Sequence, residues 1–112
     1  MSNPRVSNGA ARRALAQRLR ALGEPCCICG RPIDYSLPAG HPLSFEMDED
    51  LPTSRWSEFG YRSATACALD PSNVHAAHRI CNERKGDRTL AELRNAAKAS
   101  SPSAPFVADG WD

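Results

Sequence analysis

Apolar positions recur with a helical step near both ends of the chain and alternate in a strand-like way at its centre. From Ala10 to about Leu22, the residues Ala11, Ala14, Leu15, Leu19 and Leu22 form an apolar stripe, with Arg12, Arg13 and Arg20 mostly on the opposite side. Asn8 and Gly9 can open this helix, and Gly23 ends it. Leu43-Ser44-Phe45-Glu46-Met47-Asp48 has the period of a half-buried strand: Leu43, Phe45 and Met47 point one way, Ser44, Glu46 and Asp48 the other. A turn over Asp70-Pro71-Ser72-Asn73 precedes a short second strand, Val74 to Ala77. A helix from about Arg79 to Lys85 stops at Gly86, and Thr89-x-x-Glu92 is a capping box that opens a last helix to about Ala99, with Leu90, Leu93 and Ala97 turned inward. Between the strands, Thr53 to Asp70 shows no period and reads as a long surface loop, in which Trp56 and Phe59 pack and Cys67 is a buried small hydrophobe. Residues 1–7 and those beyond Ser100 have the composition of flexible ends.

A chain of 112 residues makes a single small core, one that a metal or disulfides often have to supplement. Three parts follow along it: a basic N-terminal helix over 1–23, a compact unit over 24–99 and a tail over 100–112. Five cysteines, two of them adjacent at Cys26 and Cys27, do not suit a secreted disulfide framework and point to a reducing compartment. With no apolar run resembling a signal-peptide core or a membrane span, a soluble, cytoplasmic protein is expected, in the host cytoplasm if a phage encodes it. The net charge of +1 hides a division. Residues 1–32 carry six Arg against one Glu, residues 33–60 six acids against Arg55, and residues 61–99 seven bases against four acids. Basic arms around an acidic middle suit a protein that grips a polyanion and holds a cation at its centre.

The strongest chemical signal is a pair of pairs. Cys26-x-x-Cys29 lies in a turn punctuated by Pro25, Gly30 and Pro32, and His78-x-x-Cys81 answers it. Three thiolates and an imidazole at these gaps are the donors of a structural, tetrahedral zinc site, with a formal charge near −1 that Arg31 or Arg79 can offset. A redox Cys-x-x-Cys is the competing reading, and no thioredoxin-like pattern surrounds it. Glu46, Asp48, Glu49 and Asp50 crowd the end of the first strand, where like charges invite a cation.

Four fragments in order carry a resemblance: Cys-x-x-Cys-Gly at 26–30, Phe-Glu-Met-Asp-Glu-Asp-Leu-Pro at 45–52, Leu-Asp-Pro-Ser-Asn-Val at 69–74 and His-Arg-Ile-Cys-Asn-Glu-Arg-Lys-Gly at 78–86. Together they resemble the HNH endonucleases, particularly the small phage-type members. The resemblance implies an α+β chain with a small zinc-stabilised ββα-metal (HNH, or His-Me finger) fold and flanking helices. It implies a metal-dependent DNA endonuclease, a hydrolase of phosphodiester bonds that nicks with low sequence specificity in phage DNA processing or packaging. Double-stranded DNA and phage packaging proteins would be its partners, and no membrane is involved. Carried over by position, Asp48 and Asn82 would hold a catalytic Mg²⁺ or other divalent cation, and Asn73 would bond the loop backbone and orient the general base. Arg79, Arg84, Lys85 and Arg88 are the candidates for gripping DNA phosphates.

One position departs from the pattern. Glu49 follows Asp48 where the family has its first His, and an unperturbed carboxylate near pKa 4.3 is a weaker base than an imidazole near 6.5. Three alternatives stand: Glu49 as a retuned base, His75 or His41 in its stead, or a non-catalytic zinc-stabilised protein that binds DNA or assists packaging. Glu49 ranks first because it occupies the position, and His75 ranks above His41, which precedes a proline.

Overall fold

The structure, a computed structural model, describes residues 9–100, with side chains as far as residue 97. The regions 1–8 and 101–112, where flexible ends are expected, lie outside the described residues. Helix α1 spans Gly9–Leu22, and Gly23 closes it with φ 63° and an N–H···O bond of 3.1 Å to Leu19. Two strands, β1 (Phe45–Glu49) and β2 (Val74–His78), form an antiparallel two-stranded sheet. The register sets Phe45 opposite His78 at one end and Glu49 opposite Val74 at the other. Helix α3 (Arg79–Lys85) continues β2 without a linker, and α4 (Leu90–Ser100) follows. The chain is therefore α+β, with its sheet between helices.

Between the strands the expected surface loop contains two helical segments. A 3-10 stretch spans Thr53–Phe59, and α2 spans Ala64–Ala68. Ser63 caps α2, its Oγ accepting from Ala66 N at 3.0 Å. Only five residues long, α2 has no room for an amphipathic period, so the Ser63 cap was its sole sequence signal. Cys67 is fully buried there, its thiol donating to Leu51 O at 3.2 Å. Trp56 and Phe59 are half-buried, and the Arg55 guanidinium lies 5.1 Å from the Phe59 ring centre.

Strand β1 begins two residues later than its alternation suggests. His41 and Pro38 hold the preceding segment as successive turns: His41 Nδ1 accepts from Leu43 N at 3.0 Å, and Ser44 N donates to His41 O at 3.0 Å. Leu43 is left 47 % exposed. The face bearing Glu46 and Asp48 is not the solvent face either, because α3 presents Asn82 and Lys85 to it. On α1 the buried stripe is rotated from the expected one. Ala11, Ala14 and Leu22 are exposed, while Arg12, Leu15, Ala16 and Leu19 turn toward the protein.

The core gathers Cys26, Ile28, Ile33, Ala76, Ala77, Cys81 and Leu93, with Tyr35, Phe45, Ile80 and Leu90 packed around it. Two of its seven buried members are cysteines of the expected metal site, so the apolar core and the metal site are one region. The capping box closes as expected on α4: Glu92 N donates to Thr89 Oγ1 at 3.1 Å, and Thr89 N to Glu92 Oε1 at 2.9 Å.

Candidate metal centre and acidic strand end

The Cys26–Gly30 loop is a knuckle. Cys26 N donates to Arg31 O and Gly30 N to Cys26 O, each at 2.9 Å, with Gly30 at φ 80°. Cys27 N donates to Ala76 O at 2.9 Å and pins the knuckle to β2. This brings Cys26 and Cys29 to the point where β2 becomes α3, at His78 and Cys81.

The ligating atoms of Cys26, Cys29, His78 and Cys81 all lie within 4.8 Å of one another. His78 Nδ1 is 3.4 Å from Cys29 Sγ and 3.8 Å from Cys81 Sγ. Tetrahedral zinc with bonds of about 2.0–2.3 Å places such atoms roughly 3.5–3.8 Å apart, so the donor set and its spacing fit the ion. His78 Nε2 lies 3.1 Å from Pro32 O. A proton donated there leaves the Nδ1 lone pair facing the thiols, the usual outer-shell arrangement for a metal-bound imidazole. The thiols share protons in a way that anticipates a cation. The Cys81 thiol, donating to Cys26, holds Cys26 down to about 4, and Cys81 is pushed up for the same reason. Burial raises Cys29. A cation would take the place of these shared protons and leave three thiolates.

At the opposite end of the same strands the acids are already matched to cations and donors of the chain. Asp48, 2 % exposed, accepts from Lys85 Nζ at Oδ1, 3.0 Å away, and from the Cys27 thiol at Oδ2, 3.6 Å away. Lys85 also donates to Glu49 O at 2.8 Å. Burial moves the Asp48 carboxyl above its ordinary range, and Lys85 opposes that shift. Burial and the adjacent Asp48 raise the Cys27 thiol, so it stays protonated and can donate. Glu49, 6 % exposed, has Arg12 Nη1 3.1 Å from its Oε2. That contact is an ion pair without hydrogen-bond alignment, since the same nitrogen donates to Ala68 O at 2.8 Å. Asp50 Oδ1 accepts from Leu90 N at the start of α4, 3.0 Å away. Glu46 Oε1 accepts from Asn82 Nδ2 at 3.1 Å.

Asn73 is a clasp. Its Oδ1 accepts from Leu51 N at 2.8 Å and its Nδ2 donates to Leu51 O at 3.0 Å, while Asp50 N donates to Asn73 O at 2.9 Å. The loop leaving β1 is thereby fixed directly behind Asp48 and Glu49.

The expected cation site on Asp48 and Asn82 has suitable donor types, but the arrangement does not fit a divalent ion. Lys85 stands on Asp48, and the Asn82 amide is turned to Glu46. The reason is geometric. Steps of two along β1 and of three along α3 keep Glu46 and Asp48 on one strand face and Asn82 and Lys85 on one helix face, so the four pair off. That spacing was readable; its meaning was not.

Of the four candidate phosphate-gripping residues, Lys85 is corrected: at 1 % exposure, it is a counter-ion. Arg88 turns back on α3, donating to Lys85 O at 3.1 Å and Arg84 O at 2.6 Å. Arg79 donates to Gly40 O at 3.0 Å and pairs with Glu83 at 3.1 Å and Glu46 at 3.8 Å, with its side chain 36 % exposed. Arg84 is exposed. His75, opposite Asp48 in the register, lies 3.1 Å from Ser72 O through Nε2. His41 is a turn residue. Sequence reasoning missed Arg12, placing it on the wet side of α1.

No known protein family, curated protein or solved structure matches the chain. No helix among the described residues is long and apolar enough to cross a membrane.

Proposed function

We propose that the protein is an HNH-type endonuclease, built on a zinc-clamped ββα unit, that hydrolyses phosphodiester bonds of double-stranded DNA with little sequence preference. The observation that carries the reading is the Asn73 clasp on Leu51, which fixes Asp48 and Glu49 at the exit of a hairpin whose other end closes on a Cys/His cluster. In the reaction, the Glu49 carboxylate accepts a proton from water as its oxygen bonds to phosphorus. The bond from phosphorus to the 3′ oxygen breaks, and that oxygen takes up a proton, giving a 5′-phosphate and a 3′-hydroxyl. Hydrolysis of this kind is served by a divalent cation such as Mg²⁺. With Lys85 on Asp48 no step is assigned to one. Exposed bases such as Arg84 and Arg79 would contact phosphates, which position DNA without reading its sequence. Phage DNA processing or packaging is the proposed setting.

A second reading has its own support. Both carboxylates of the Asp48–Glu49 pair are neutralised within the chain, which suits a zinc-stabilised protein that binds DNA, or assists its packaging, without cutting it. Supercoiled plasmid decides between them. Zinc-loaded protein is incubated in buffer freed of other metals, then with added Mg²⁺, Mn²⁺ or Ni²⁺. Nicking that requires the added ion and is lost in Glu49→Gln, with zinc content intact, supports the enzyme. DNA retardation without nicks under every condition supports the binder and ends the hydrolytic reading.

A further inference from the structure

We propose that Arg12 is a phosphate-binding residue held in reserve on Glu49: a DNA phosphate takes the guanidinium and thereby frees the carboxylate. The proposal rests on the reading that this face meets a DNA backbone, and it adds a residue from α1 that lies outside the four fragments of the hairpin–helix unit.

Arg12 occupies an inward position on α1, in the slot where an apolar residue would ordinarily sit, and its side chain is 11 % exposed. It faces Glu49, whose side chain is 5 % exposed, across 3.1 Å. Strand alternation sends Asp48 and Glu49 to opposite faces, and each meets a cation from a different helix. The two pairs differ in kind. Lys85 is 1 % exposed and donates aligned bonds to both Asp48 Oδ1 and Glu49 O, which makes it a fixed counter-ion. Arg12 reaches solvent, and its Nη1 directs its aligned bond to the Ala68 carbonyl. An ion pair that gives up hydration without an aligned bond recovers less of its desolvation cost. A phosphate, by contrast, offers two oxygens matched to the guanidinium fork. Arginine's long unbranched stem lets the head group move between them while α1 stays in place.

The protein would thus keep its carboxylate masked until a polyanion arrives. Glu49 and DNA then compete for one guanidinium, and this competition can be read without any cleavage. Binding of a short labelled duplex is measured by fluorescence anisotropy with zinc-loaded protein and no added divalent ion, for the wild type, E49Q, R12Q and E49Q/R12Q. Removing the competitor in E49Q is expected to tighten binding by about tenfold, the scale of one charge-assisted bond gained. In the R12Q background the same change is expected to give only the small general gain from losing one negative charge. The slope of log affinity against log salt should also fall by about one between E49Q and E49Q/R12Q. Equal gains in both backgrounds, or an unchanged slope, overturn the role of Arg12 while leaving DNA binding intact. If R12Q alone does not fold, as judged by zinc content, E49Q against the double variant still decides through the slope. Wild-type protein that does not bind the duplex at any salt concentration removes the DNA reading itself, and this proposal with it.

Discussion

The two ends of one short hairpin treat charge in opposite ways. At the Phe45/His78 end, three thiols and an imidazole converge within 4.8 Å, and the shared protons among them are the only neutralisation in view. At the Glu49/Val74 end, three consecutive carboxylates each reach a different partner: Lys85, Arg12 and the N-terminus of α4. Ligands that await an ion crowd together, because each needs the same point in space. Carboxylates with internal partners separate, because each follows its own. Acidic crowding in a sequence therefore says little about a metal, whereas cysteine and histidine spacing says a great deal.

The largest effect expected from breaking this contrast lies at the sulfur end. Two ligands belong to the core, so zinc binding and folding should be one event. Metal analysis is expected to find one zinc per chain. A strong chelator, or Cys81→Ser, should abolish the cooperative unfolding transition, in keeping with the roughly 10 kcal/mol that structural zinc brings to small domains. A chain that keeps its circular dichroism and its transition without zinc would sink this account.

At the carboxylate end the effect should be smaller and should depend on which partner is lost. Lys85→Met leaves Asp48 buried without its cation, and Asp48→Asn leaves Lys85 without its anion; each should cost about 3–5 kcal/mol in urea unfolding. The double variant, neutral on both sides, should recover much of that loss. Additive losses would mean that the two side chains act independently and that the 3.0 Å contact is incidental.

Asn73 tests how the two ends are joined. Replacing it by Ala removes both bonds to Leu51 and leaves buried backbone groups unsatisfied, at a cost of about 2–3 kcal/mol. Nicking should fall by more than this loss of stability explains, because the loop behind Asp48 and Glu49 would loosen. Stability lost with nicking unchanged would confine Asn73 to a structural role.

How far the fold was legible follows from the same contrast. Cys-x-x-Cys and His-x-x-Cys carry their geometry in their spacing, and strand alternation with a following helix start places both strands to within two residues. The rotation of α1 was not legible, because a stripe count treats arginine as a solvent residue, and only the distant Glu49 and Ala68 give Arg12 a reason to turn inward. Lys85 sits at the end of a basic run that reads as an exposed grip. Its burial depends on Asp48, thirty-seven residues earlier. Long-range ion pairs leave no local period, and the misplaced site residues are their products.

The smallest expected effect sharpens the comparison through pH. Glu92 closes the capping box of α4 and accepts a bond from Arg55, 2.7 Å away, which, with the Thr89 amide, holds its carboxyl down to about 2. Folded and unfolded chains then differ in proton uptake. The unfolded chain takes up a proton near the ordinary carboxylate value of about 4.3, while the folded chain resists until near 2. The contribution of Glu92 is therefore complete above about pH 5 and drains away as pH falls toward 2. Glu92→Gln keeps the cap, since the amide oxygen still accepts from Thr89 N, but loses the charge that Arg55 meets. The stability difference between wild type and Glu92→Gln should thus be present at pH 6 and smaller at pH 3.5, with added salt shrinking it at pH 6, because the pair is exposed to solvent. Asp48 should show the opposite sign, its carboxyl being raised by burial, so that ionisation disfavours the folded chain as pH rises through the raised value. A Glu92 difference that does not change with pH would mean that Arg55 meets Glu92 only as a hydrogen-bond acceptor, and that the charge contrast between buried and exposed acids does not extend to α4.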